Sequence, residues 1–169
     1  MSIDWEPGHG PEDLKRKLAA ARLVGKPAFN FLRRAALLIQ GLARENAPKN
    51  VGRLRDSIAF NVDQSPMPLF AEIGSAVEYA PHMEYGTGAL SDSPSMVSDW
   101  QFPTGGELET WAKRHDFTSG EQVAGIIRAR GGLAPRRYLR AAFDAARQKI
   151  QNFLTQMGRE IEEQWRNGM

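Results

Sequence analysis

The apolar residues of this chain recur first with a helical period, then with a strand period, then with a helical one again. Pro11 opens the first patterned stretch: Glu12 and Asp13 sit where a helix dipole favours acids, and Leu14, Leu18 and Leu23 follow at near-helical spacing. This predicts a helix that stops at Gly25 and a second one from Pro27 to about Asn46. The second carries an apolar stripe of Phe31, Ala35, Leu38, Ile39 and Leu42, with Arg33, Arg34 and Arg44 largely outside it. The period then drops to two. Ile58, Phe60 and Val62 alternate with Ala59, Asn61 and Asp63, which predicts a strand over about 57–63. Leu69, Ala71 and Ile73 predict its antiparallel partner, broken by Gly74-Ser75.

Val77 to Tyr85 is short, apolar and aromatic, and Gly86 to Gly106 has almost no pattern, the length of a functional loop. Leu108, Trp111 and Ala112 share one face of a helix predicted over 107–115. Val123, Ile126 and Ile127 do so over 120–130, where Gly131-Gly132 ends the segment. In the last stretch Leu139, Phe143, Ala146, Ile150, Phe153, Leu154, Met157, Ile161 and Trp165 step by three or four. At ~1.5 Å per residue that helix is about 40 Å long, so part of it is expected to meet another subunit.

The element order predicts an α+β fold, a small antiparallel β-sheet packed against N-terminal helices and a long C-terminal helix. Residues 1–10, with Gly8 and Gly10 and little periodicity, are expected to form a flexible N-terminal arm in which Trp5 is the residue able to dock. Residues 11–169 are expected to form a single α+β domain with a long loop at about 86–106; the length of 169 residues suits one domain.

Composition narrows the chemistry. The absence of cysteine removes disulfides, thiolate nucleophiles and sulfur-ligated metals, and suits a reducing cytoplasm. A net charge of +2 is a slight excess of base and not a polycation, so strong non-specific DNA binding is not expected. No apolar run approaches the roughly 18 residues of a membrane span, and the first ten residues do not read as a signal peptide. The expected protein is soluble and intracellular when made, with no membrane partner.

Few residues suggest catalysis. The histidines are His9, His82 and His115. His82 and Glu84 would share one face of a strand, yet two ligands without a third make no metal site, and His115 after Lys113 and Arg114 reads as a base at a helix end. No Gly-x-Ser-x-Gly, Walker or Gly-x-Gly-x-x-Gly pattern occurs. The expectation is no enzyme, no catalytic residue, no metal and no cofactor. Arg128, Arg130, Arg136, Arg137 and Arg140, by contrast, lie in thirteen residues with no acid among them. Such a cluster suits DNA phosphate, an acidic protein surface, or simply a solvated basic turn. Because arginine at a helix start opposes the dipole, a compensating charge from a partner is expected.

Three stretches together resemble the tail-completion or head-tail joining proteins of long-tailed double-stranded DNA bacteriophages. Ala47-Pro48 with Gly52-Arg53-Leu54-Arg55-Asp56-Ser57-Ile58 is similar to that family's passage from the N-terminal helix into the first strand. Tyr79-Ala80-Pro81-His82-Met83-Glu84-Tyr85-Gly86-Thr87 is similar to its Tyr-Ala, Glu-aromatic-Gly-Thr signature. Arg130-Gly131 with Pro135-Arg136-Arg137-Tyr138-Leu139-Arg140-Ala141-Ala142 resembles its entry into the C-terminal helix. Val51 stands where that family usually has Thr, and Arg137 stands between the proline and the aromatic.

The resemblance implies a structural virion protein made in the host cytoplasm. It would form a homo-oligomeric ring, a hexamer, in the neck or upper tail, contacting head-closure or connector proteins, the tail terminator and the tail tube. Double-stranded DNA would pass through the bore without tight binding. Tyr79, Tyr85, Glu84, Phe153 and Trp165 are the expected subunit-interface residues, the two tyrosines being equally suited to completing a small core. A tail terminator or head-closure protein of the same neck is the alternative within the class. Outside it stand a small nucleic-acid-binding module using Arg128–Arg140 and, third, a hydrolase near His82 and Glu84.

Overall fold

The computed structural model describes residues 11–49, 52–63, 69–93 and 106–167. Helix α1 runs unbroken over Pro11–Asn46 with Pro27 inside it, so the two helices expected from Gly25 and Pro27 are one. An interior proline costs a helix about 3 kcal/mol. Here that local penalty, and that of Gly25 two residues before it, is outweighed: Pro27 is buried, and Lys26 and Ala28 beside it favour the helix. A short helix α2, Arg53–Ser57, precedes strand β1, Ile58–Val62. Gly52 turns the chain into α2 with φ 79°, a left-handed conformation that glycine adopts without a side-chain clash.

Strand β2, Ala71–Ser75, pairs antiparallel with β1 as the alternation predicts. The Asp63 N–H donates to the Phe70 carbonyl at 3.0 Å. Gly74 and Ser75 remain in the strand instead of breaking it. The hydroxyls of Ser57 and Ser75 lie 2.7 Å apart, and the strand ends at Ser75, whose Oγ accepts from the Val77 N–H at 3.1 Å. The end of α1 fixes the start of β1: Gln40 Nε2 and Arg44 Nη2 both donate to the Ile58 carbonyl, at 2.8 and 2.9 Å.

Helix α3, Ala80–Tyr85, follows, with Pro81 in its first turn, and then a 3₁₀ turn, Gly88–Leu90. Helices α4, Glu107–Arg114, and α5, Gly120–Ala129, pack on each other. Ser119 Oγ caps α5 by accepting from the Gln122 N–H, and Gln122 Oε1 accepts in return from the Thr118 N–H at 2.8 Å. Glu109 Oε2 ties the pair together by accepting from the Gly120 N–H at 2.6 Å, a bond that holds the Glu109 carboxyl below its usual range. The long helix α6 covers Tyr138–Asn167, close to the predicted extent.

By its contacts the chain forms two units. One draws its described residues from Met1–Leu38, Phe60–Glu72 and Ala146–Met169, the other from Ile39–Ala59 and Ile73–Ala145. In the first, the Arg34 guanidinium lies 4.3 Å from the centroid of the Phe153 ring, a cation–π contact between α1 and α6. The core of the second includes Ala43, Leu54, Ile58, Ala112, Val123, Ala124, Tyr138 and Ala142, all buried. The expected arm at residues 1–10 and the part of the expected loop at 94–105 lie outside the described residues.

Candidate functional site

In the second unit the last two of the three family-like stretches fold directly against each other. Residues 83–88, from the end of α3 onward, meet residues 131–140, the entry to α6. Arg136 and Arg137 donate their N–H groups to the carbonyls of Met83 and Glu84 at 2.8 and 3.1 Å. Thr87 is bonded to Leu133 twice: its N–H donates to the Leu133 carbonyl, and its Oγ1 accepts the Leu133 N–H, each at 2.9 Å. Two backbones can approach this closely only where Cβ atoms are missing. An alanine at Gly86 would put its Cβ 2.5 Å from the Leu133 carbonyl oxygen, and alanines at Gly88 or Gly132 would collide with the carbonyls of Gly131 or Thr87.

Glu84 is the centre of this crossing. It is only 5% exposed, and its two carboxylate oxygens accept the N–H groups of Leu139 and Arg140 at 2.8 and 2.9 Å. These are orphan donors of the first turn of α6, so the carboxylate caps the helix and meets the positive end of its dipole. His82 and Glu84 lie on a helix and not on a strand, and Glu84 is occupied by backbone donors. Among the described residues no group of three or more His, Asp or Glu could hold a metal.

The arginine cluster divides. Arg137 Nε and Arg140 Nη1 both pair with Asp92 Oδ2, at 2.9 and 3.1 Å, and the Arg140 guanidinium lies 6.0 Å from the Tyr85 ring centroid. Arg128 pairs with Glu121 at 3.6 Å and donates to the Ala124 carbonyl. The charge that compensates the arginines at the start of α6 therefore comes from within the chain, from Glu84 and Asp92, where the sequence pointed to a partner. Arg130 and Arg136 are exposed and have no carboxylate partner among the described residues. Arg137, placed between the proline and the aromatic, takes φ 52°, and its ion pair and backbone bond offset the strain of that left-handed turn.

Of the expected interface residues, Tyr79 and Tyr85 are half-buried, Phe153 is half-buried beneath Arg34, and Trp165 is exposed. Glu84 lies in the interior. What sequence reasoning missed is Asp92, which sits in the stretch read as patternless and carries no local signal.

Two titrations follow from burial at the crossing. Desolvation lowers the His82 pKa below its ordinary 6.5, so the unfolded chain binds a proton first as pH falls. Stability should be full above about pH 6.5 and decline below it, and His82→Phe should flatten that limb of a plot of Tm against pH. At the other end, burial first and then the nearby Glu84 charge push Tyr138 up from 10.0 to about 12. Stability should therefore fall as pH rises from about 10 towards 12, and Tyr138→Phe should remove that loss. A Tm unchanged across either window in the native chain would contradict the corresponding burial.

Comparison with known proteins gives a similarity over part of the chain. Residues 12–86 match the model described as "Bacteriophage HK97-gp10, putative tail-component". The match takes in α1 from its second residue, α2, the sheet and α3, ends at Gly86, and is consistent with the phage neck and tail-completion family that the motifs resemble. No curated protein and no solved structure matches the chain. The similarity is to a phage tail component. No helix among the described residues is long and apolar enough to cross a membrane.

Proposed function

We propose that the chain is a structural protein of the neck or upper tail of a tailed bacteriophage. It forms a homo-oligomeric ring, a hexamer, that completes the tail and helps to join it to the head, with DNA passing through the bore. The observation that carries this reading is the family match over residues 12–86, which ends within the Glu-aromatic-Gly-Thr signature. Two features of the chain support it. Leu154 and Trp165 on α6 are 50% and 44% exposed, apolar area suited to a neighbouring subunit. Asp92 pairs with both Arg137 and Arg140 and offsets one of their two positive charges, which suits a bore that lets phosphate slide past without holding it tightly.

A ring built from heterologous contacts closes only if each subunit turns by the right angle, so subunit number is the natural measurement. Mass spectrometry of purified virions should find a few copies of this chain, and mass photometry of the isolated protein should show one closed species. Leu154→Glu with Trp165→Glu should yield a folded monomer, because it places charges on the contact face. Absence of the chain from mature virions would overturn the reading.

A further inference from the structure

We propose that a groove in the second unit, formed by Asn46, Pro48, Lys49, Trp111, His115 and Arg136, receives the segment Asp4-Trp5-Glu6 of another copy of this chain. The groove has a volume of about 380 Å³ and is assembled from three places in the sequence: the end of α1 and the turn after it, one face of α4, and the residue before the left-handed turn into α6. Its walls are fixed by the fold. Trp111 stacks on His115 at 4.1 Å between ring centroids and on Phe117 at 5.8 Å, and the Trp111 carbonyl accepts from His115 Nδ1 at 2.9 Å. The Arg136 backbone is held by its bond to the Met83 carbonyl.

The chemistry of the walls selects the ligand. Lys49 and Arg136 are exposed cations without a carboxylate partner among the described residues, and among those residues no acidic side chain lines the groove. Between them lie an indole and a prolyl ring. A ligand that satisfies all of these is an aromatic ring flanked by two carboxylates: the acids pair with the ammonium and the guanidinium, and the ring covers Trp111 and Pro48.

This chain carries such a segment. Asp4 and Glu6 flank Trp5, and the first ten residues hold no Lys or Arg to oppose the two cations. Its other Asp-Trp pair, Asp99-Trp100, has one acid and is followed by Gln101, so it offers half the charge. Exchange between copies gives each groove one segment and each segment one groove, the head-to-tail pattern that closes a ring. The proposal rests on the assembly reading for the source of the segment.

The test is a titration of a labelled peptide of residues 1–10 into the full-length chain at low salt, followed by fluorescence anisotropy. The receptor carries Asp4→Lys and Glu6→Lys, so that its own segment does not compete. Binding should saturate, and should weaken about tenfold with a Trp5→Ala peptide or when Lys49→Glu and Arg136→Glu are added. A chain carrying only Lys49→Glu and Arg136→Glu should prefer the peptide with Asp4→Lys and Glu6→Lys. Both substituted positions are exposed, and circular dichroism checks that the fold survives; Lys49→Gln with Arg136→Gln gives the same comparison without reversed charge. Equal binding to the charge-reversed groove, no binding at all, or stronger capture of an Asp99-Trp100 peptide or of duplex DNA would overturn the proposal. A chain that stays monomeric yet binds the peptide with this pattern would overturn both the ring reading and the exchange of segments between copies. Rings that form normally with the groove reversed leave the ring reading intact and remove the groove.

Discussion

Gly132→Ala should leave little folded protein under mild denaturing conditions. Gly132 has φ 124°, and an added Cβ would fall on the Thr87 carbonyl, with the Gly88 Cα 3.2 Å away. The obstruction is backbone against backbone, so no rotamer change relieves it. The unfavourable φ costs about 1–2 kcal/mol, and separating two hydrogen-bonded segments adds as much again or more. The sum, roughly 2–5 kcal/mol, at its upper end matches the whole stability of a marginal domain. Gly125→Ala is the control. Gly125 lies in α5, is exposed, and has nothing within 4 Å of where its Cβ would be, so alanine there should stabilise by about 0.5–1 kcal/mol. Urea denaturation of the two variants should move the midpoint in opposite directions; a Gly132→Ala midpoint near that of the native chain would show that the crossing is loose.

Glu84→Ala should be nearly as damaging. It strands the N–H groups of Leu139 and Arg140 at a buried helix start and removes the charge facing the dipole, a loss of about 2–4 kcal/mol. Glu84→Gln separates the two contributions. One amide oxygen can still accept, while the amide NH₂ faces a second N–H donor, so the variant should fall between alanine and the native chain. Equilibrium unfolding of both substitutions decides it. A glutamine variant as stable as the native chain would mean that the carboxylate charge contributes nothing.

The long elements were legible because their burial is periodic: the stripe of α1 from Phe31 to Leu42, the alternation of Ile58, Phe60 and Val62, and the steps of α6. Helices α2 and α3 are too short to show a period, and both are stabilised by what they touch. Gly25 and Pro27 were misread by a rule of local propensity that burial of the proline overrode. The signature residues were visible as a pattern without a purpose. Glu84 means little until Leu139 and Arg140 are seen beside it, more than fifty positions away. The arginine cluster misled for the same reason. Counting charge in a window of thirteen residues leaves out Asp92 and Glu121, which lie outside that window and pair with three of the five arginines. The groove could not be read at all, since Lys49, Trp111 and Arg136 come from three separate stretches.

The crossing also makes a closed loop. Thr87 and Leu133 are 46 positions apart, and the entropic cost of bringing them together from the unfolded chain grows only with the logarithm of that separation. Doubling that span would cost about 0.6 kcal/mol, several times less than one methyl group at Gly132. Tolerance to change is therefore divided unevenly: Gly86, Gly88 and Gly132 admit no side chain, while the turns of that span outside α4 and α5 can lengthen at small thermodynamic expense. A chain built this way can change its outer turns without refounding the fold that presents them.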